Sequence, residues 1–112
     1  MEPKAPYLRA KLAFLTDTRA ISAAETLLSL VEHFEVAPIV GSPTAGTNGN
    51  VRVISLPGGF EMRFTGIKVV NYDGSPFHTH GVPITVPVTR TIKGAAEERD
   101  EVLERAVQHV SG

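Results

Sequence analysis

Between Lys11 and Gly41 an apolar run, an amphipathic stretch and a second apolar run follow one another, and this succession limits the folds open to the chain. Lys11-Leu12-Ala13-Phe14-Leu15-Thr16 is short and almost continuously apolar, the pattern of a parallel strand covered on both faces. From Ala20 to Phe34 the residues Ala20, Ala24, Leu27, Val31 and Phe34 recur at helical spacing, and Leu28 and Leu30 widen the stripe, so a helix packed against a sheet is expected. Ala37-Pro38-Ile39-Val40-Gly41 reads as the next strand, with its proline near the start, where a missing donor is tolerated. Strand, helix and strand make a right-handed βαβ unit, and the fold class is α/β.

The remainder of the chain changes character. Gly41 to Asn50 places three glycines and a proline in one loop, too many turn residues for a regular element. Alternation follows: Val51, Val53 and Leu56 are expected to face one way, and Phe60, Met62 and Phe64 do the same after a Pro57-Gly58-Gly59 turn, which gives a hairpin. A further strand is expected at Ile67–Asn71, then a turn over Tyr72–Pro76. Val82–Val88 should be extended, but Pro83 and Pro87 confine it to an edge or a crossing segment. A terminal amphipathic helix is expected from Ala95 to Val110, with Val102, Leu103, Ala106, Val107 and Val110 inward and Glu97–Glu101 a solvated face near its start.

Composition narrows the partners. At 112 residues and 12.0 kDa the chain is one small domain, and a net charge of −1 argues against a nucleic-acid footprint. With no cysteine, there is no disulfide to report a compartment and no thiolate to act as nucleophile or metal ligand. No apolar run reaches the length of a membrane span, and Met1-Glu2-Pro3-Lys4-Ala5-Pro6 lacks the apolar region of a signal peptide. Because this proline-broken start leads at once into a buried-type strand, residues 1–10 read as a linker or boundary, and the chain as a fragment of a longer protein.

Three motifs carry candidate chemistry. At the seam between first strand and helix, Ser22-Ala23-Ala24-Glu25 is a capping box, Ser-x-x-Glu, and taken alone the spacing favours that reading. A hydroxyl there would also stand at the carboxyl end of a parallel strand, where open α/β sheets bind ligands, beside amides able to hold an oxyanion. Gly41-x-x-x-x-Gly46 matches the first part of a phosphate loop, but Thr47 stands in place of the lysine and a strand pattern follows instead of a helix, so nucleotide binding is not expected. His78-Thr79-His80 puts two imidazoles on one side of an extended segment; with Asp73 already explained as a turn residue they make an incomplete metal set, and a base for a serine is the better use of one of them. His33 and His109 read as structural or exposed.

The order of Leu15-Thr16-Asp17, Ala20-Ile21-Ser22-Ala23-Ala24-Glu25, Ile39 to Asn50, Leu56-Pro57-Gly58-Gly59, Gly81-Val82-Pro83 and Thr91-Ile92-Lys93-Gly94 resembles the catalytic core of the carboxy-terminal processing, or tail-specific, serine peptidases, over about Leu12 to Val110. The resemblance implies a ClpP/crotonase-like α/β superhelix, of which this chain would be the carboxy-terminal part. It implies Ser22 as nucleophile and Ala23 as the donor of an oxyanion-hole amide. The lysine that serves as base in the serine–lysine members falls at Thr47, whose hydroxyl cannot act as a base near neutral pH. That points to the branch resembling tricorn protease, whose base is a histidine from an earlier part of the chain, with Thr47 and Asn48 left to orient the site and His78 or His80 as bases available within the chain.

The resemblance further implies hydrolysis of peptide or protein substrates without a cofactor, a bacterial periplasm or envelope setting, and an upstream part that completes the site. The piece alone is expected to be inactive or nearly so. A non-catalytic ligand-binding module of the same fold is the alternative, in which Ser22 is only a cap. Unpaired edges near Lys11–Thr16 or Ile84–Val88 would favour homo-oligomers through strands.

Overall fold

The computed structural model describes residues 4–112. Of the expected leading segment 1–10, residues 1–3 lie outside the described part, and 4–10 form no helix or strand. The elements run β1 (Phe14–Thr16), α1 (Ala23–His33), β2 (Ile39–Gly41), β3 (Val51–Leu56), β4 (Phe60–Thr65), β5 (Val86–Pro87), α2 (Ile92–Ala96) and α3 (Glu101–Ser111).

A parallel sheet of order β1-β2-β5 forms the body. Phe14 pairs with Ile39, Leu15 with Val40 and Thr16 with Gly41, and β5 joins β2 through Val40–Val86 and Gly41–Pro87. Successive residues of the central strand β2 point to opposite faces, and each face finds a helix. Ile39 packs with Leu28 and Val31 of α1 and with Phe77 and Val82. Val40 packs with Val86 and with Ala106 of α3. The sheet therefore lies between two helical layers, an α/β arrangement as the pattern of runs requires.

Several expectations are corrected. β1 has only three residues and is an edge: Leu15 is 44% exposed, so the face it shares with Ala13 is covered by α3 only in part. On α1 only Leu28 and Val31 of the apolar stripe are buried, while Leu27, Leu30 and Phe34 remain exposed, because the small sheet does not reach across the whole helix face. Residues 67–71 form no strand: a single bridge between Val70 and Pro76 takes its place, and the segment reaches the core only through Val69, which packs half-buried against the cluster that holds Phe77. The extended Val82–Val88 keeps just two strand residues at the sheet edge, in keeping with its two prolines.

The terminal helix is broken in two. Thr91 caps α2, its hydroxyl accepting the Gly94 N–H at 2.9 Å, and Asp100 caps α3, accepting the Leu103 N–H at 3.0 Å. The acidic run is thus a connector and not one helical face. Glu97 ends α2, Glu98 takes φ 54°, and Glu101 reaches back to accept the Thr91 N–H at 2.6 Å. Side chains that satisfy free amides at two separate helix starts outcompete continuation of one helix.

The hairpin β3–β4 forms as expected around Gly58-Gly59, but Leu56 does not share a face with Val51 and Val53. The register pairs Leu56 with Phe60, Ile54 with Met62 and Arg52 with Phe64, so these six side chains share one face. Val51, Val53 and Ser55 occupy the other with Thr65, Arg63 and Glu61.

Candidate active site

The seam is built by the turn that leaves β1. Asp17 accepts the Arg19 N–H at 2.8 Å and takes its guanidinium through Nε at 2.9 Å and Nη2 at 2.6 Å. The Arg19 hydrogen bonds hold the Asp17 carboxyl below its ordinary value, and Asp17 raises that of Arg19 in return. The Ala20 N–H closes the turn on Asp17 O at 3.0 Å, and α1 begins three residues later, at Ala23.

Ser22 is the N-cap of α1, with φ 51° and ψ −112°. A side chain with a β-carbon rarely adopts such a backbone, which costs roughly 1–3 kcal/mol. The capping box is asymmetric. Ser22 N–H donates to Glu25 Oε2 at 3.0 Å, whereas the Ser22 hydroxyl faces the Glu25 amide without the geometry of a cap hydrogen bond. Ser22 and Ala23 are both exposed. As the first helical residue, Ala23 has an amide that helix geometry leaves without an internal partner.

Glu25, which the sequence pattern assigns only to the cap, does more. Its side chain is fully buried, yet it accepts two further amides from the glycine-rich loop: Gly46 N–H to Oε1 at 2.6 Å and Thr47 N–H to Oε2 at 3.2 Å. A carboxylate accepts through two oxygens with about four lone-pair sites, and three main-chain amides from two segments use them here. The loop is thereby fixed against the start of α1. Ala45 N–H to Ala20 O at 3.0 Å and Asn48 Nδ2 to Thr26 Oγ1 at 2.9 Å add to the same seam. No spacing rule foretells this reach of Glu25 across the sequence; a Ser-x-x-Glu box upstream of an amide-rich glycine loop is the signal that could have found it.

The other candidates are placed as follows. Thr47 is exposed and tied to Glu25 by its amide, with no hydrogen bond from its hydroxyl among the described residues. Asn48 bonds Thr26, whose hydroxyl in turn donates to Ser22 O at 3.4 Å, so Asn48 is linked to the seam through one side chain. His78 is half-buried with Nε2 2.9 Å from Asn48 O, and since a carbonyl only accepts, that nitrogen carries a proton. His80 is exposed, its Nδ1 turned to His78 O at 3.1 Å. Neither imidazole is hydrogen-bonded to Ser22 among the described residues. Asp73, the third member of the incomplete metal set, accepts the Ser75 N–H at 2.9 Å within its own turn, and hydrogen bonding from the Ser75 hydroxyl and then from its amide lowers the Asp73 pKa.

Below the loop, Thr44 is buried and its hydroxyl accepts the Val82 N–H at 3.0 Å, while Thr79 N–H donates to Gly46 O at 3.0 Å. Gly46 stands at φ 67°, and a β-carbon on it would lie 2.8–3.0 Å from the amides of Thr79, His80 and Gly81. The loop is thus clamped from both sides, by Glu25 above and by the 77–82 segment below. A cleft of about 290 Å³ is lined by Asp17, Arg19 and Ala20 of the turn with Arg90 and Asp100, and Ser22 is not among its walls.

Comparison with known proteins gives this arrangement a family. The model of peptidase family S41 matches residues 2–88. Among solved structures, a candidate peptidase from Parabacteroides merdae superposes with a TM-score of 0.84 at 20% identity, over 94% of this chain and 33% of its own. Mature CPAF superposes with a TM-score of 0.71 at 25% identity, over 88% of this chain and 20% of its own. The chain therefore spans a third of one neighbour and a fifth of the other. No curated protein matches the sequence. A family model that covers most of the chain, on a fold shared with these structures, makes it a member of peptidase family S41.

Proposed function

We propose that the chain carries the nucleophile of a serine endopeptidase of the carboxy-terminal processing type, with Ser22 attacking a peptide carbonyl. The observation that carries this reading is the backbone of Ser22: an exposed serine at φ 51° on a strand-to-helix turn, its hydroxyl facing the Glu25 amide without a well-formed cap hydrogen bond. Strain of this kind is worth keeping where it aims a side chain, and a nucleophilic serine on a sharp turn at a sheet's carboxyl end is such a case.

In the proposed reaction the Ser22 oxygen bonds to the carbonyl carbon as its proton passes to a base, and the oxyanion formed is held by the Ala23 N–H at the positive end of α1. Collapse expels the amine, which takes up the proton, and water then hydrolyses the acyl-enzyme by the same route. Glu25 holds Ser22 and the Gly46–Thr47 loop in one frame. Asn48 orients that loop, and His78 fastens it through the Asn48 carbonyl. The base is a histidine supplied by an upstream part of a longer polypeptide, since Thr47 has no basic group and neither His78 nor His80 bonds to Ser22 among the described residues. The 112 residues alone are then inactive or nearly so.

The test is acylation by a fluorophosphonate probe in the parent polypeptide, read by intact mass. Labelling at one site that disappears in Ser22→Ala supports the nucleophile. Equal labelling of wild type and Ser22→Ala overturns it and leaves the non-catalytic binding module of the same fold.

A further inference from the structure

The cleft beside the Ser22 turn has no part in the proposed chemistry, although it lies where β1 runs into that turn. Leu15, Thr16 and Ala20, with Val102 of α3, make its uncharged walls, and Asp17, Arg19, Arg90 and Asp100 supply its charges. At about 290 Å³ it has room for one side chain of a ligand and not for a whole peptide.

Two acids and two arginines balance formally, but their hydrogen bonds are unevenly committed. Asp17 Oδ1 holds the Arg19 amide at 2.8 Å, and Oδ2 takes the Arg19 guanidinium. Asp100 caps α3 through the Leu103 N–H at 3.0 Å. Arg90 differs from both. It is exposed, and its guanidinium makes no ion pair or hydrogen bond among the described residues. Hydrogen bonds from Arg19 are the main cause of the lowered Asp17 pKa, and the charge of Arg90 adds to it, so Arg90 lies within electrostatic reach of the turn. The donors left over in the cleft therefore belong to a guanidinium, whose planar fork of five N–H groups matches a carboxylate.

Position indicates whose carboxylate this is. Ala20, a wall of the cleft, precedes Ser22 by two residues, so their Cα atoms are at most about 7 Å apart. An extended peptide advances about 3.3 Å per residue. With a carbonyl held at Ser22, a residue within about three positions of the scissile bond passes over the cleft.

We propose that the cleft is a subsite for an acidic side chain of the substrate peptide, and that Arg90 is the specificity-determining residue that takes its carboxylate. This rests on the reading of Ser22 as nucleophile. Leu15 and Val102 receive the methylene stem, and the Asp17–Arg19 pair stays closed as a wall.

The experiment needs no turnover in its first arm. A peptide pool amidated at its carboxyl termini is selected on the parent polypeptide carrying Ser22→Ala, and the retained sequences are read by mass spectrometry. Peptides with Asp or Glu should be enriched, and the enrichment should vanish on adding Arg90→Gln, persist in part with Arg90→Lys and pass to Lys and Arg with Arg90→Glu. In the second arm, one cleaved peptide is remade with Glu or Gln at the selected position. The Glu form should be favoured about tenfold in kcat/KM, mostly through KM, and the ratio should fall to about one in Arg90→Gln. Fluorophosphonate labelling of Ser22 without acid selection, or with selection that Arg90→Gln leaves intact, overturns the subsite and spares the nucleophile; a cleft filled by another part of the polypeptide would give that result. Selection only in a pool with free carboxyl termini overturns it too, since the ligand is then a terminal carboxylate. Acid selection that depends on Arg90 beside an unlabelled Ser22 upholds the cleft as a carboxylate site and refutes the nucleophile.

Discussion

Glu25 Oε1 accepts the Gly46 N–H at 2.6 Å across 21 residues of sequence, from a position with no solvent exposure. Through this bond and its neighbours one carboxylate joins the N-cap of α1 to the glycine-rich loop. The turn that carries Ser22 and the Gly46–Thr47 loop are thereby tied to the same side chain.

Replacing this carboxylate should cost more than the loss of a helix cap. In Glu25→Gln the amide group has one acceptor oxygen for three N–H donors and turns a donor toward at least one of them. The expected loss is about 2 kcal/mol, with Glu25→Ala larger, since amides left unsatisfied in a buried place cost roughly 1–3 kcal/mol each. Urea unfolding measures the total. Hydrogen exchange at the Gly46 and Thr47 amides should accelerate more than exchange in α3, and equal acceleration in both would mean that Glu25 does not tie the loop locally.

The backbone at Ser22 makes an opposite prediction. Glycine adopts φ 51° freely, and the serine hydroxyl contributes no well-formed cap bond. Ser22→Gly should therefore raise stability by about 1 kcal/mol, the relief of strain exceeding glycine's entropic cost. Ser22→Ala should fall within about 0.5 kcal/mol of wild type, where a working cap would lose about 1 kcal/mol. Thermal and urea unfolding of the two variants decide it: a loss in both would return Ser22 to the role of a cap.

Acid should loosen the helix α3 junction. Hydrogen bonds from the Thr91 amide and hydroxyl lower the Glu101 pKa below its ordinary 4.5, and the Arg99 guanidinium does the same to Glu104. A carboxyl lowered in the folded state contributes stability that is present above its unfolded pKa and is lost as pH falls through the folded one. The urea midpoint should thus decline from about pH 4.5 downward. In Glu101→Gln that decline should be shallower. Glu98→Gln, at a position without a side-chain hydrogen bond among the described residues, should leave it as in wild type.

Much of the fold was legible because it rests on local periodicity. The run at Lys11–Thr16, the stripe from Ala20 to Phe34 and the run at Ala37–Gly41 each announce one element, and two parallel strands with a helix between them have few ways to pack. The split of the terminal helix was not legible from its apolar positions. Those positions continue at helical spacing, whereas the break is made by Thr91, Asp100 and Glu101 satisfying one another's helix ends. The faces of the hairpin were half legible: alternation is a property of the strand, but whether Leu56 joins Val53 or Phe60 depends on parity across the pair, which the register settles.

At the site, the order of residues around Ser22 determined which hydroxyl to examine and that Thr47 offers no base. Only the tertiary structure decided what Glu25 does. A sequence records that an acid stands three residues beyond a serine; it does not record which distant amides will be left without partners when the chain closes. In this protein those amides belong to Gly46 and Thr47, brought to Glu25 because β2 ends beside β1. The burial of that carboxylate among them follows from the packing of two elements that neither element encodes alone.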